Sequence, residues 1–177
     1  MIKSSKKIVK LIFSFFICVV FSSCNKDSVQ LSEMSVYLQD APAPSYEKIK
    51  IEVKGVSVYS QASGSWVTLT VNNGVFDLLT LDSLHQAFLG KIKLSGGDIS
   101  QVQLLVGSNN SVTVNGIDYP LLLDSADLDK LKIKIDNVSN NGSFYKMTID
   151  FKASESIDSN GNIFKIKASL KITVKSV

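Results

Sequence analysis

From Met34 to Val174, apolar and polar residues alternate with period two in one short segment after another. A β-strand points successive side chains to opposite faces, so this pattern calls for strands with one face buried. The inward rows are Met34, Val36 and Leu38; Ile49, Ile51 and Val53; Val67, Leu69 and Val71; Val102, Leu104 and Val106; Leu131, Ile133 and Ile135; and Tyr145, Met147, Ile149 and Phe151. A long last row runs through Phe164, Ile166, Ala168, Leu170, Ile172 and Val174. Turn formers separate the rows: Asp40-Ala41-Pro42-Ala43-Pro44, Ser60 to Ser65, Asn72-Asn73-Gly74, and Asn115-Gly116, a two-residue hairpin signal. About seven to nine short strands in this order predict an all-β, antiparallel β-sandwich of the immunoglobulin or transthyretin kind.

Two places break the alternation. After Gly55 the apolar phase slips by one residue to Val56 and Val58, as a β-bulge would make it do. Ser83 to Gln86 has capping-box spacing, Leu84, Ala87 and Phe88 share a helical face, and Gly90 can end it, which predicts one short helix.

The first residues have a different character. Lys3, Lys6, Lys7 and Lys10 precede an apolar run from Leu11 to Phe21, and then come Ser22, Ser23 and Cys24. A basic head, a short apolar run and small residues describe a secretory signal peptide, the run being about half the roughly 20 residues of a spanning helix. Phe21-Ser22-Ser23-Cys24 resembles the lipobox of bacterial lipoproteins, which implies cleavage before Cys24 and lipid on its sulfur. The expected organisation is a signal peptide over 1–23, a lipidated cysteine and tether over 24–32, and a single β-sandwich domain over 33–177. Lys26-Asp27 weakly resembles a surface-export signal, and Asn25 is not the aspartate of inner-membrane retention. Both imply an outer-membrane lipoprotein, with the leaflet left open.

Removing the signal changes the charge. The whole chain carries +3, and four lysines with no acid belong to the signal, so the remainder is 3 − 4 = −1. That leaves no basic footprint for nucleic acid. All 19 basic residues are lysines, so no guanidinium fork is present for bidentate grip on phosphate or carboxylate. Cys18 leaves with the signal, Cys24 is then alone, and no intramolecular disulfide can form.

Catalytic motifs are sparse. His85 is the only histidine, Ser83 near it reads as a cap, and no nucleophile elbow, phosphate loop or HExxH occurs. Asp127 with Asp129 is a solvated loop pair rather than an acid–base couple. The expectation is therefore no enzyme and no cofactor. Asp158, Asn160 and Asn162 place oxygens at alternate positions, faintly like a calcium loop, but without the glutamate and the length of an EF-hand; a hairpin turn explains them better. Tyr59 and Trp66 fall on the off-core phase of strands joined through Ser60 to Ser65, so they are expected face to face outside, as a platform for sugar rings or a partner protein, or as a stabilising cross-strand pair. Three roles stay open: a lipid-anchored domain binding glycan or protein at the membrane surface, a structural or assembly component using a β-edge, and, most remotely, a hydrolase.

A set of stretches in order resembles a known family. They are Ser35-Val36-Tyr37-Leu38-Gln39-Asp40-Ala41-Pro42, Val53-Lys54-Gly55-Val56, Trp66-Val67-Thr68-Leu69, Phe76-Asp77-Leu78-Leu79, Ile99-Ser100-Gln101-Val102, Asn109-Asn110-Ser111-Val112, Asp118-Tyr119-Pro120-Leu121, and Asp150-Phe151-Lys152-Ala153-Ser154-Glu155-Ser156-Ile157. Together they are similar to the bacterial lipoprotein domain of unknown function 4382, over about Ser32 to Thr173. The resemblance implies a β-sandwich on a cell-envelope lipoprotein and no particular activity.

Overall fold

The computed structural model describes residues 31–40, 42–72, 74–123, 131–140, 144–167 and 169–177. Strands dominate them: β1 (Leu31–Gln39), β2 (Lys48–Ser60), β3 (Ser65–Thr70), β4 (Val75–Asp77), β5 (Ala87–Ser95), β6 (Gly97–Val106), β7 (Ser111–Val114), β8 (Ile117–Leu122), β9 (Lys132–Asn140), β10 (Phe144–Asp150), β11 (Ile157–Asn160), β12 (Ile163–Ile166) and β13 (Lys171–Ser176). A 3-10 turn covers Leu78–Thr80, and one turn of helix, α1, covers Ala153–Ser156.

The strands form two sheets. One has the order β13-β10-β1-β5; the other has the order β11-β12-β8-β7-β2-β6-β9, with β3 and β4 also paired to β2. Their inner faces share one core, which includes Met34, Val36 and Leu38 of β1, Ile49, Ile51 and Val53 of β2, Val102 and Leu104 of β6, and Met147 and Ile149 of β10. The fold is thus an all-β sandwich, as the alternation requires. Its sheets are mixed rather than antiparallel throughout: β1 runs parallel to β10, and β12 parallel to β8. The strands also outnumber the seven to nine expected, because long runs are interrupted.

β2 explains the interruptions. Its first half lies between β4 and β7, its second half between β3 and β6. Both neighbours break where β2 slips register between Val53 and Gly55. The slip is the bulge read from the sequence, and it moves the inward row from Ile49, Ile51 and Val53 to Val56 and Val58, all fully buried. Gly55 is required there by space, since a Cβ would stand 2.4 Å from the Leu69 carbonyl oxygen. The break between β6 and β7 is stapled by buried Asn110, whose Oδ1 accepts from the Glu52 amide (2.8 Å) and whose Nδ2 donates to the Gly107 carbonyl (2.8 Å). After β4, Asp77 Oδ1 accepts from the amides of Ile49 and Leu79, each at 3.3 Å, which starts the 3-10 turn.

Two local expectations are corrected. Ser83 to Phe88 is not helical. Asp82 Oδ1 accepts from the amides of Leu84 and His85, both at 2.7 Å, and the Asp82 amide donates to the His85 carbonyl, so a tight turn forms instead. Phe88 then pairs with Tyr37 in β5, and Leu89 is buried, which a two-turn helix could not offset. The long last row is also two strands. The Ser156 hydroxyl donates to the carbonyl of Phe151 (2.7 Å) and accepts from the Ser169 amide (2.8 Å), which holds the crossing between sheets; Ala168 lies outside the described residues. Asp40 caps the same region by accepting from the Ala153 amide at 2.8 Å. Asn115 and Gly116 both have positive φ, 51° and 74°, as the predicted β7–β8 hairpin needs.

Candidate functional site: the outer faces of the two sheets

On the outer face of the second sheet, Trp66 stands directly opposite Tyr59. The rings meet edge to face, with centroids 5.5 Å apart and planes at 68°. The expectation that they pair on the off-core side is met, and Trp66 keeps 36% of its surface. It is not a bare plate, however. Lys132 Nζ lies 5.0 Å from the ring centroid, a cation–π contact reaching in from β9.

Register builds the surroundings. One transverse row is Trp66, Tyr59, Gln101 and Lys134; the next is Thr68, Ser57, Gln103 and Lys132. Ser57 and Thr68 hydroxyls bond to each other at 2.8 Å, which satisfies the nearly buried Ser57. The face therefore offers two aromatic edges, two amides, a hydroxyl pair and two ammonium groups. Such a set can donate and accept hydrogen bonds and lie against the C–H face of a ring, but it holds no acid or histidine placed for proton transfer.

The other residues singled out from the sequence do not join it. Cys24, Asp127 and Asp129 lie outside the described residues. His85 sits on an exposed turn with Nδ1 3.1 Å from Asp82 Oδ1. The amide of His85, then its ring and the Leu84 amide, hold the Asp82 carboxyl below its ordinary value. Asp158 and Asn160 are exposed on β11, opposite Lys165 and Ile163, and Asn162 lies in the turn that follows. Among the described residues no group of three or more His, Cys, Asp or Glu side chains is placed to hold a metal ion, and Asp158 to Asn162 forms a hairpin.

Sequence reasoning missed a second feature. On the outer face of the first sheet, a cavity of about 240 Å³ is lined by Gln39, Gln86, Lys146, Thr148, Thr173 and Lys175. Its signal is visible in hindsight: Lys146-x-Thr148 and Thr173-x-Lys175 carry the same polar pattern on their off-core phase. What the sequence does not reveal is that β10 and β13 are neighbours.

No curated protein and no solved structure matches the chain. The polar residues that staple its strand breaks lie within the stretches that resemble a known family, and a model of that family, the Domain of unknown function (DUF4382), matches residues 32–168, so the chain belongs to this family.

Proposed function

We propose that this protein is a lipid-anchored domain of the cell envelope that binds a glycan on the outer face around Trp66 and Tyr59, without catalysing a reaction. The anchor is Cys24, after removal of 1–23, and the membrane is the outer one. The observation that carries the binding role is the Trp66–Tyr59 pair, partly exposed and ringed by Gln101, Gln103, Thr68 and two lysines. Aromatic edges beside amides and hydroxyls suit a polyol, which presents C–H faces and hydroxyl rims together. Exposed apolar patches rimmed by polar residues mark contact surfaces. Among the described residues of these strands no nucleophile–base couple is assembled, and this supports a binding role over a hydrolytic one.

The test is a glycan array probed with the full chain and with Trp66→Ala. Retention of a defined glycan class by the wild type, lost in the variant, is expected. Equal retention by both proteins would remove the Trp66 face from the binding role.

A further inference from the structure

We propose that the outer face of the first sheet carries a separate binding site for a carboxylate-bearing sugar, centred on Lys146 and Lys175. Lys146 and Lys175 are direct backbone partners across β10 and β13, and both line the same cavity. Like charges placed opposite each other in a sheet oppose folding. Such a pair calls for a counter-charge, and among the described residues neither lysine is in an ion pair. The nearby acid Glu33 is taken by Lys91, and Asp150 stands one row beyond Thr148, opposite Lys171. Counting the outward positions of all four strands, Lys91, Lys93, Lys146, Lys171 and Lys175 face Glu33 and Asp150, five positive groups against two negative. Among the described residues no acid balances this excess, so the face is suited to an external anion.

The cavity says what kind of anion. Its volume, about 240 Å³, leaves room for one sugar ring. Beside the lysines it presents the hydroxyls of Thr148 and Thr173 and the amides of Gln39 and Gln86, which bond to each other at 2.5 Å. Tyr37 and Phe88 lie in the row of Thr148, with ring centroids 5.3 Å apart, and Lys146 Nζ is held 4.5 Å from the Tyr37 ring. A bare inorganic anion would use the lysines and leave the amides and hydroxyls idle. A uronic acid uses the whole lining: its carboxylate takes the ammonium groups, and its hydroxyls the amides and threonines. Lysine serves here as a point charge, which a single carboxylate can satisfy without a guanidinium fork.

The experiment is a calorimetric titration of the full chain in detergent with a galacturonic acid oligosaccharide, beside the neutral galactose oligosaccharide, acetate, and vesicles containing anionic lipid. Saturable binding of the uronate is expected. It should weaken by about tenfold in Lys146→Gln and in Lys175→Gln, as when one charge-assisted hydrogen bond is lost, and should fall with added salt. The titrations are made in the Trp66→Ala background as well, which removes the glycan face proposed above, and the lysine-dependent preference for the uronate over the neutral sugar is expected to persist there. Both lysines are on the surface, and an unchanged unfolding curve for each variant confirms that the fold is intact. Absence of uronate binding, equal affinity for the neutral sugar or for acetate, indifference to both lysine changes, or lysine-dependent binding to vesicles alone would overturn the proposal.

Discussion

Trp66 shows how one side chain can serve both packing and contact. It is 36% exposed, touches Tyr59 edge to face and lies under Lys132. The cross-strand pair stabilises by roughly 0.2–1 kcal/mol and the cation–π contact by roughly 0.5–1 kcal/mol. Trp66→Ala should therefore cost about 1–2 kcal/mol in urea unfolding, above an ordinary surface change and below the roughly 3–5 kcal/mol of a core tryptophan. A loss in the core range would place the ring inside. Asp82 makes a second case. Two backbone amides and the His85 ring stabilise its charged form, so its carboxyl is held below the ordinary aspartate value. A depressed acid contributes its hold above the unfolded value, and that hold is lost as pH falls through the folded one. Amide exchange at Leu84 and His85 should rise, relative to the core strands, as pH is lowered from about 5 to about 2. Protection that persists unchanged across that range would contradict the role given to the carboxylate.

At the scale of elements, β2 is the strand around which the second sheet is arranged. Its bulge shifts the inward row, and the breaks between β3 and β4 and between β6 and β7 fall beside it. Gly55→Ala would push a methyl group to 2.4 Å from the Leu69 carbonyl, separating β3 from β2. The expected cost is on the order of 2–4 kcal/mol by denaturant midpoint, and Trp66 emission should shift with it because β3 carries the ring. An alanine variant as stable as the wild type would mean that β3 does not pack where described. The bulge was legible in the sequence because an apolar row changed phase at a glycine. The β7–β8 hairpin was legible because Asn115-Gly116 has few other uses. Alternation cannot say which strand lies beside which, so the parallel β1–β10 pairing, and with it the Lys146–Lys175 cleft, was hidden. The expected helix at Ser83 failed because Ala87–Ser95 is drawn into the first sheet as β5 beside β1, which leaves only a turn after Asp82. The split of the last row at Ser169 was hidden too, because the crossing depends on Ser156, thirteen residues earlier.

Across the whole molecule, four polar residues of the family-like stretches serve architecture. Asp40, Asp77, Asn110 and Ser156 each accept backbone amides where a strand ends, breaks or changes sheet. That leaves the outer faces free to carry recognition. Anchoring belongs to the same scale. Acyl chains bury about 0.8 kcal/mol per methylene, and stable anchoring takes more than one chain. Fatty-acid labelling in cells is expected to mark the wild type and spare Cys24→Ala; an unlabelled wild type would end the lipid-anchor proposal.

The central proposal is that Trp66 is at the point of contact, and Trp66 is the only tryptophan in the chain. Its own emission is thus the most direct measurement, followed while the full chain is titrated with glycan released from the envelope. The expected result is a saturable spectral shift together with protection from iodide quenching, both with the same midpoint as calorimetric binding. Calorimetric binding with emission and quenching unchanged would contradict it.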